Sequence, residues 1–291
     1  MSAMAKVFLD YTQKELDDAY DQLVYAPNRD QVLARFAHTS ELVRRRIGEP
    51  ERFAYGSTPV EGLDVYKAKP GAPVNVFVHG GAWRQGLAKN YAFPAEVFRR
   101  AGAHFVAIDF ASVTETGGDL VPMAEQVRRA IAWVYLNASR FGGDPQRLYV
   151  SASSSGAHLA GVAATTDWTK YGVPAAPVKG YALCSGMYDL RGPRLSKRSS
   201  YVAFTDAMEE ALSPQRHIER VNAPIVILYG SLETPEFQRQ SRNFADALTR
   251  AGKSCEVIRA EGYNHFEIAE TLGNPFGPMG RAVLAQMKLE A

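Results

Sequence analysis

The chain is poor in cysteine, with only Cys184 and Cys255 among 291 residues. Two thiols cannot build a disulfide scaffold. Each falls in or beside an apolar strand-like run, so both are read as reduced thiols without assigned chemistry. Charge of one sign is lacking too: 33 Lys and Arg against 31 Asp and Glu leave a net +2. That balance gives no reason to expect a nucleic-acid partner. The single basic run, Arg44-Arg45-Arg46, closes a helical stretch, where positive charge complements the helix dipole, and is read as a solvated helix end. No apolar run approaches the roughly 18–20 residues of a membrane span, so no membrane partner is expected. The opening residues, Met1-Ser2-Ala3-Met4-Ala5-Lys6, show no basic segment followed by an apolar core. The expectation is therefore no secretory signal and a cytoplasmic location.

What is present is an ordinary globular composition, 46% apolar and 22% charged, enough to bury a large core. Nothing resembles a linker, so residues 1–291 are read as one domain. Short apolar runs at 74–78, 105–108, 148–150, 180–183, 225–229 and 255–258 alternate with helical patterns at 91–101, 120–141, 157–166 and 236–251. This alternation predicts an α/β chain with a mostly parallel sheet covered on both faces. Such sheets bind ligands at the carboxyl ends of their strands. Residues 1–50 read as two helices, one behind a capping box of Thr12 and Glu15 and one over 30–47, ended by Gly48 and Pro50. The less regular stretch 188–217 reads as an inserted cap.

One strand-to-helix junction carries most of the chemistry: Tyr149-Val150-Ser151-Ala152-Ser153-Ser154-Ser155-Gly156-Ala157-His158. A nucleophile elbow needs small residues two before and two after its serine, because backbone segments crowd there. Ala152 and Gly156 meet that need around Ser154. Ser153 and Ser155 also have small neighbours, so size alone does not choose among the three. Position favours Ser154, since the strand ends just before it and the helix begins just after it.

A serine hydroxyl needs a base, and that base needs an acid to orient it. Of six histidines, His265 follows the last apolar strand, where a loop can carry it over the serine. His158 recedes into the helix, and His217 lies at the wrong end of its strand. The acid is expected after the strand at 225–229, where Glu233 is chosen. Glu236 starts the next helix and is explained by its dipole, while Asp189 is an outside candidate. Backbone donors for an oxyanion are expected from Gly80 and Gly81 in the loop His79-Gly80-Gly81-Ala82-Trp83-Arg84, together with the N–H of Ser155. His79 is read as a brace for that loop, and Trp83 as either pocket wall or plain core.

At these residues the chain resembles the arylformamidase (kynurenine formamidase) group of α/β-hydrolases, near the hormone-sensitive-lipase-like esterases. The resemblance runs from about Tyr55 onward. It rests on His79 to Arg84, Phe141-Gly142-Gly143-Asp144-Pro145, Ser154 to Leu159, Ser185-Gly186-Met187-Tyr188-Asp189-Leu190, Glu233 to Phe237 and Asn264-His265-Phe266. It implies an α/β-hydrolase fold with a small cap and a triad of Ser154, Glu233 and His265. It further implies Ser153, Tyr188 and Phe266 in the pocket beside Trp83, and no metal or organic cofactor. Two departures stand out: Ala152-Ser153 replaces the usual Gly-His, and Glu233 replaces a frequent Asp. The implied reaction is hydrolysis of a small acyl amide or ester, with an N-formyl aryl amide such as N-formylkynurenine first. Carboxylester hydrolysis is the second reading, and a non-catalytic binding protein on the same fold the third.

Overall fold

The computed structural model describes residues 5–290. In them eight strands make one sheet: β1 (Glu51–Ala54), β2 (Gly62–Tyr66), β3 (Ala72–Val78), β4 (His104–Ile108), β5 (Gly143–Ser153), β6 (Val178–Cys184), β7 (Ile225–Gly230) and β8 (Cys255–Ala260). Their spatial order is β1-β2-β4-β3-β5-β6-β7-β8. Strands β3 to β8 run parallel, and β1 and β2 pair antiparallel at one edge.

Period-2 alternation divides the strand side chains between two cores. Val74, Val76, Val78, Val150, Leu183 and Ile227 enter one, whereas Phe77, Phe105, Tyr149, Ala182 and Leu228 enter the other. Helices α1 (Gln13–Ala19), α2 (Gln22–Tyr25), α3 (Arg29–Ile47), α4 (Ala95–Arg100), α5 (Val121–Asn137), α6 (Ser155–Ala164), α7 (Arg191–Leu195), α8 (Asp206–Ala211), α9 (Pro235–Arg250), α10 (His265–Glu270) and α11 (Pro278–Gln286) surround the sheet. The first core packs under α5, α6 and α9, the second under α3, α4 and α11. Each fully buried branched aliphatic contributes about 1.5–3 kcal/mol of transfer free energy.

Two strands were not anticipated from sequence. β1 is short and solvent-facing, and β2 is interrupted by Asp64, whose carboxylate accepts from Arg52 of β1 at 2.7 Å. Neither therefore shows an apolar run. The anticipated helix at 91–101 is shorter because a 3-10 turn occupies Ala88–Tyr91 and Pro94 precedes α4. In the first fifty residues the Thr12–Glu15 capping box is formed, and a third helix, α2, stands between the two anticipated ones. Arg45 and Arg46 of the basic run are exposed, as read from sequence, and only Arg44 is half-buried. Arg44 donates to the Lys89 carbonyl and Arg46 pairs with Glu96 at 2.6 Å, which ties α3 to the α4 region. The 188–217 stretch folds as α7, α8 and 3-10 turns. Cys184 is buried, Cys255 half-buried, and both are unpaired. No helix among the described residues is long and apolar enough to cross a membrane.

The strand order fixes where a ligand binds. From β3 the chain crosses to β4 on one side, and from β5 to β6 on the other, so the order reverses between β3 and β5. A crevice opens there at their carboxyl ends. β3 delivers His79 to it and β5 delivers Ser154. Close approach of these segments depends on Gly156, where a Cβ would lie 2.2 Å from the Val78 carbonyl oxygen and 2.3 Å from that of His79. Ala152, by contrast, lies in extended β5, paired with Val78 and Leu183, so its methyl causes no backbone strain. Gly156→Ala should therefore cost about 3 kcal/mol in urea unfolding, and Ala152→Gly no more than about 1 kcal/mol. Equal effects would contradict this placement of the crowding.

Candidate active site

Ser154 sits between β5 and α6 with φ 56° and ψ −127°. A non-glycine residue held there carries about 1–3 kcal/mol of strain, which the surroundings must over-determine. They do so from several sides. The Ser154 N–H donates to the Cys184 carbonyl at 2.8 Å, and its own carbonyl accepts from His158 N–H at 3.2 Å. Gly156 then lets the first turn of α6 press against the end of β3. The result is a hydroxyl that lines the cavity at the head of a helix.

His265 opens α10, whose N-cap is Asn264: the Asn264 side chain accepts from the N–H groups of Phe266 and Glu267. This cap fixes the direction in which His265 leaves the loop. Its Nε2 lies 2.8 Å from Ser154 Oγ, and its Nδ1 2.8 Å from Glu233 Oε2. The other carboxylate oxygen of Glu233 accepts from the Gly230 N–H at 2.7 Å and from Ser185 Oγ at 2.6 Å. An ionised Glu233 can only accept, so Nδ1 of His265 carries the proton and Nε2 is free to accept from Ser154. Glu233 and His265 are 2% and 4% exposed, so the relay is shielded from water. The extra methylene of Glu relative to Asp is absorbed by the turn from Gly230 to Glu233, which curls the carboxylate back over its own strand end. Ser185, with φ 58°, was not singled out from sequence. Its place after β6 in the run Ser185-Gly186 was the available signal.

The other candidates fall elsewhere. Asp189 contacts Arg216 and accepts from Arg191 N–H, away from His265. Glu236 is fully buried, bound bidentately by Arg239 at 2.6 and 2.8 Å and by Tyr20 Oη at 2.9 Å, so the helix dipole alone does not account for it. His217 donates from Nε2 to the Glu210 carbonyl. Ser153 and Ser155 are 5% and 2% exposed, and Ser155 Oγ accepts from the Trp83 N–H at 3.1 Å.

The loop after β3 is shaped by positive φ at three successive residues, Gly81 (124°), Ala82 (55°) and Trp83 (63°). At Gly81 a Cβ would lie 1.8 Å from the Gln85 carbonyl oxygen, so only glycine fits. The N–H groups of Gly81 and Ser155 have no backbone acceptor among the described residues, which leaves them available to an anionic oxygen at Ser154. His79 donates from Nδ1 to Gly80 O at 2.8 Å and lies flat between Tyr91 and Phe110, at 5.2 and 4.4 Å between centroids. Burial pushes its pKa down, so it braces the loop as a neutral ring. Ala82 was missed from sequence, since nothing in an alanine announces a left-handed backbone.

A cavity of about 580 Å³ opens on Ser154 and His265, lined by Gly80, Gly81, Ser153 and Phe266. Trp83 and Tyr188, expected in the pocket, do not line it. Trp83 is 2% exposed and donates from Nε1 to His158 Nδ1 at 3.1 Å. Tyr188 is fully buried and stacked on Phe244 at 4.3 Å. Both are large apolar rings that found core partners. The walls come instead from residues without a local sequence signal: Tyr20, Leu33 and Phe36 of the first fifty residues, and Arg198 and Tyr201 of the 188–217 stretch.

Comparison with known proteins agrees with this architecture. The family described as BD-FAE matches residues 63–173. The kynurenine formamidase of Danio rerio is 34% identical over 229 residues, 75% of each chain. Esterase LipC of Mycobacterium tuberculosis is 27% identical over 266 residues, 83% of this chain and 65% of that one. Among solved structures, a propionate-bound esterase from Thermogutta terrifontis superposes with a TM-score of 0.64 at 22% identity, covering 83% of this chain and 92% of that one.

His158 offers a test of the site's inner packing. It accepts from Trp83 at Nδ1 and donates from Nε2 to the Leu212 carbonyl at 2.8 Å, and burial lowers its pKa from 6.5 to about 4. Because the folded pKa is depressed, the neutral ring's contribution is complete above 6.5 and is lost as pH falls toward 4. Between pH 7 and 5 the native protein should lose about 2 kcal/mol more stability than His158→Gln in urea unfolding. Parallel losses would contradict a buried neutral His158.

Proposed function

Because the chain belongs to the kynurenine formamidase group of α/β-hydrolases, we propose that it hydrolyses N-formyl aryl amides, with N-formylkynurenine the leading substrate. That it is a hydrolase of formamidase or carboxylesterase type follows from its relatives. The observation that carries the mechanism is the unbroken relay from Ser154 through His265 to Glu233, at 2.8 Å in both steps. In this reading Ser154 Oγ attacks the formyl carbon and gives its proton to His265 Nε2. Glu233 steadies the resulting imidazolium, and the N–H groups of Gly81 and Ser155 hold the oxyanion. His265 then protonates the departing arylamine. Water, deprotonated by the same nitrogen, releases formate and returns Ser154.

Two features support this substrate class. A Cβ at Gly80 would stand 2.9 Å from Ser154 Cβ, so the β3 loop lies close over the nucleophile and suits a small acyl group. The cavity beyond is walled by Tyr20, Phe36, Tyr91, Tyr201 and Phe266, faces that suit an aryl leaving group. We also read residues 1–291 as one domain in which 1–50 and 188–217 together cover the site, which is supported by the cavity walls both supply. A cytoplasmic location is part of the same reading, supported by the two unpaired thiols.

Small-acyl ester hydrolysis is the runner-up, favoured by the 27% identity to an esterase. The two separate on kcat/KM for N-formylkynurenine and p-nitrophenyl acetate. Formamide turnover at least equal to ester turnover is expected, and a value about 100-fold lower would transfer the assignment to the esterases. Ser154→Ala should lower kcat by roughly 10⁴-fold or more and abolish labelling by a fluorophosphonate probe. Labelling that survives in Ser154→Ala would move the nucleophile to Ser153 or Ser155.

A further inference from the structure

The cavity wall is unevenly charged. Arg29, Arg84, Lys197 and Arg198 line it against the single carboxylate Asp21. Two of these cations are spent: Arg29 pairs with Asp30 at 2.7 Å, and Lys197 with Asp21. Asp21 also accepts from the Leu23 N–H at 3.0 Å. Arg84 and Arg198 pair with no carboxylate among the described residues.

Arg198 is the more unusual, because it is 5% exposed. A guanidinium offers five N–H donors and stays charged. Here Nη1 donates to Tyr201 Oη at 2.8 Å and Nη2 to the Tyr20 carbonyl at 3.1 Å, while Nε has no acceptor. Three ring faces also surround it, at 5.5 Å from Trp83, 5.8 Å from Tyr20 and 5.9 Å from Phe237. Aromatic faces attract a cation but do not neutralise it. The charge of Asp21 reaches Arg198, but that carboxylate is bonded to Lys197. The buried guanidinium is therefore only partly compensated, and the cost of burying it is relieved when an anion arrives.

The position matters as much as the charge. Trp83 donates from its backbone to Ser155 beside the nucleophile, and Phe237 stands edge-on to His265 at 4.8 Å. Arg198 is thus one ring away from the oxyanion loop and one ring away from the base. Arg84 stacks over Tyr201 at 4.7 Å, so both unpaired guanidiniums meet on that tyrosine.

We propose that Arg198, assisted by Arg84 across Tyr201, is a subsite for a carboxylate carried by the substrate, so that the enzyme selects anionic acyl amides and esters over matched neutral ones. The proposal rests on the hydrolase site described above, but not on formamide being the bond cleaved. Guanidinium fits this role through paired, planar N–H donors, which an ammonium cannot reproduce.

The test uses two matched pairs on the full chain: 4-(2-formamidophenyl)-4-oxobutanoate against its primary amide, and 3-(4-acetoxyphenyl)propanoate against its primary amide. In each pair, kcat/KM for the anion should exceed that for the neutral partner by about tenfold or more. Arg198→Gln should collapse that ratio toward one through KM, with Arg198→Lys recovering part of it and Arg84→Gln lowering it by less. Equal loss on both members of a pair would assign Arg198 a purely structural role and overturn the proposal. Should Arg198→Gln fail to fold, inhibition of the native enzyme by 3-(4-hydroxyphenyl)propanoate against its amide decides, and equal inhibition constants overturn the subsite. Absence of formamide turnover with a preserved anion preference on esters would remove the formamidase reading and leave the subsite standing.

Discussion

The left-handed backbone of Ser154, φ 56°, is the constraint from which the rest of the site follows. A serine in extended or helical geometry at the same place would direct its hydroxyl along the sheet or into the helix. Held at this φ by Cys184 O and by the contact of Gly156 with the end of β3, the hydroxyl stands clear at the β3/β5 switch point, 2.8 Å from His265 Nε2. The strain of roughly 1–3 kcal/mol is small beside the two cores that clamp the sheet. It also brings the N–H of Ser155 to the same point in space, because the turn that lifts the side chain also opens the first turn of α6.

His265 is held with comparable care, and from a distance in sequence. Asn28, just before α3, accepts from Asn264 Nδ2 at 2.8 Å and donates to Glu267 Oε1 at 2.7 Å. Arg35 grips Glu270 with two bonds of 2.8 and 2.7 Å. The helix that carries His265 is therefore clamped at both ends by α3 and the residue before it. Residues 20–36, which also supply Tyr20 and Phe36 to the cavity, thus couple the orientation of His265 to the shape of the pocket.

Much of this was legible in sequence wherever a local rule had to be obeyed. Five of the six parallel strands announced themselves because burial on both faces demands apolar runs, whereas β8 is a mostly exposed edge strand. The elbow did so because Gly156 must be small. The order of Ser154, Glu233 and His265 along the chain matched the strand ends that bring them together. Legibility failed where partners are remote. β1 is solvent-facing, and β2 sets Asp64, partner of Arg52, between its buried Leu63, Val65 and Tyr66, so neither strand shows an unbroken apolar run. Trp83 and Tyr188 could not be sorted between pocket and core without knowing that His158 and Phe244 wait for them. Arg198 gave no signal at all, since an arginine in an irregular stretch is ordinarily solvated, and only the fold shows it enclosed by three aromatic rings.

The central claim is that acyl transfer passes through Ser154. Acid quenching during steady turnover of p-nitrophenyl acetate, followed by peptide mass spectrometry, reads the acyl-enzyme directly. The account predicts an acetyl group on the Ser154 hydroxyl, accumulating further when His265 is replaced by a residue that slows deacylation more than acylation. Acetyl found on Ser153 or Ser155, or turnover with no acylated serine in either protein, would contradict it.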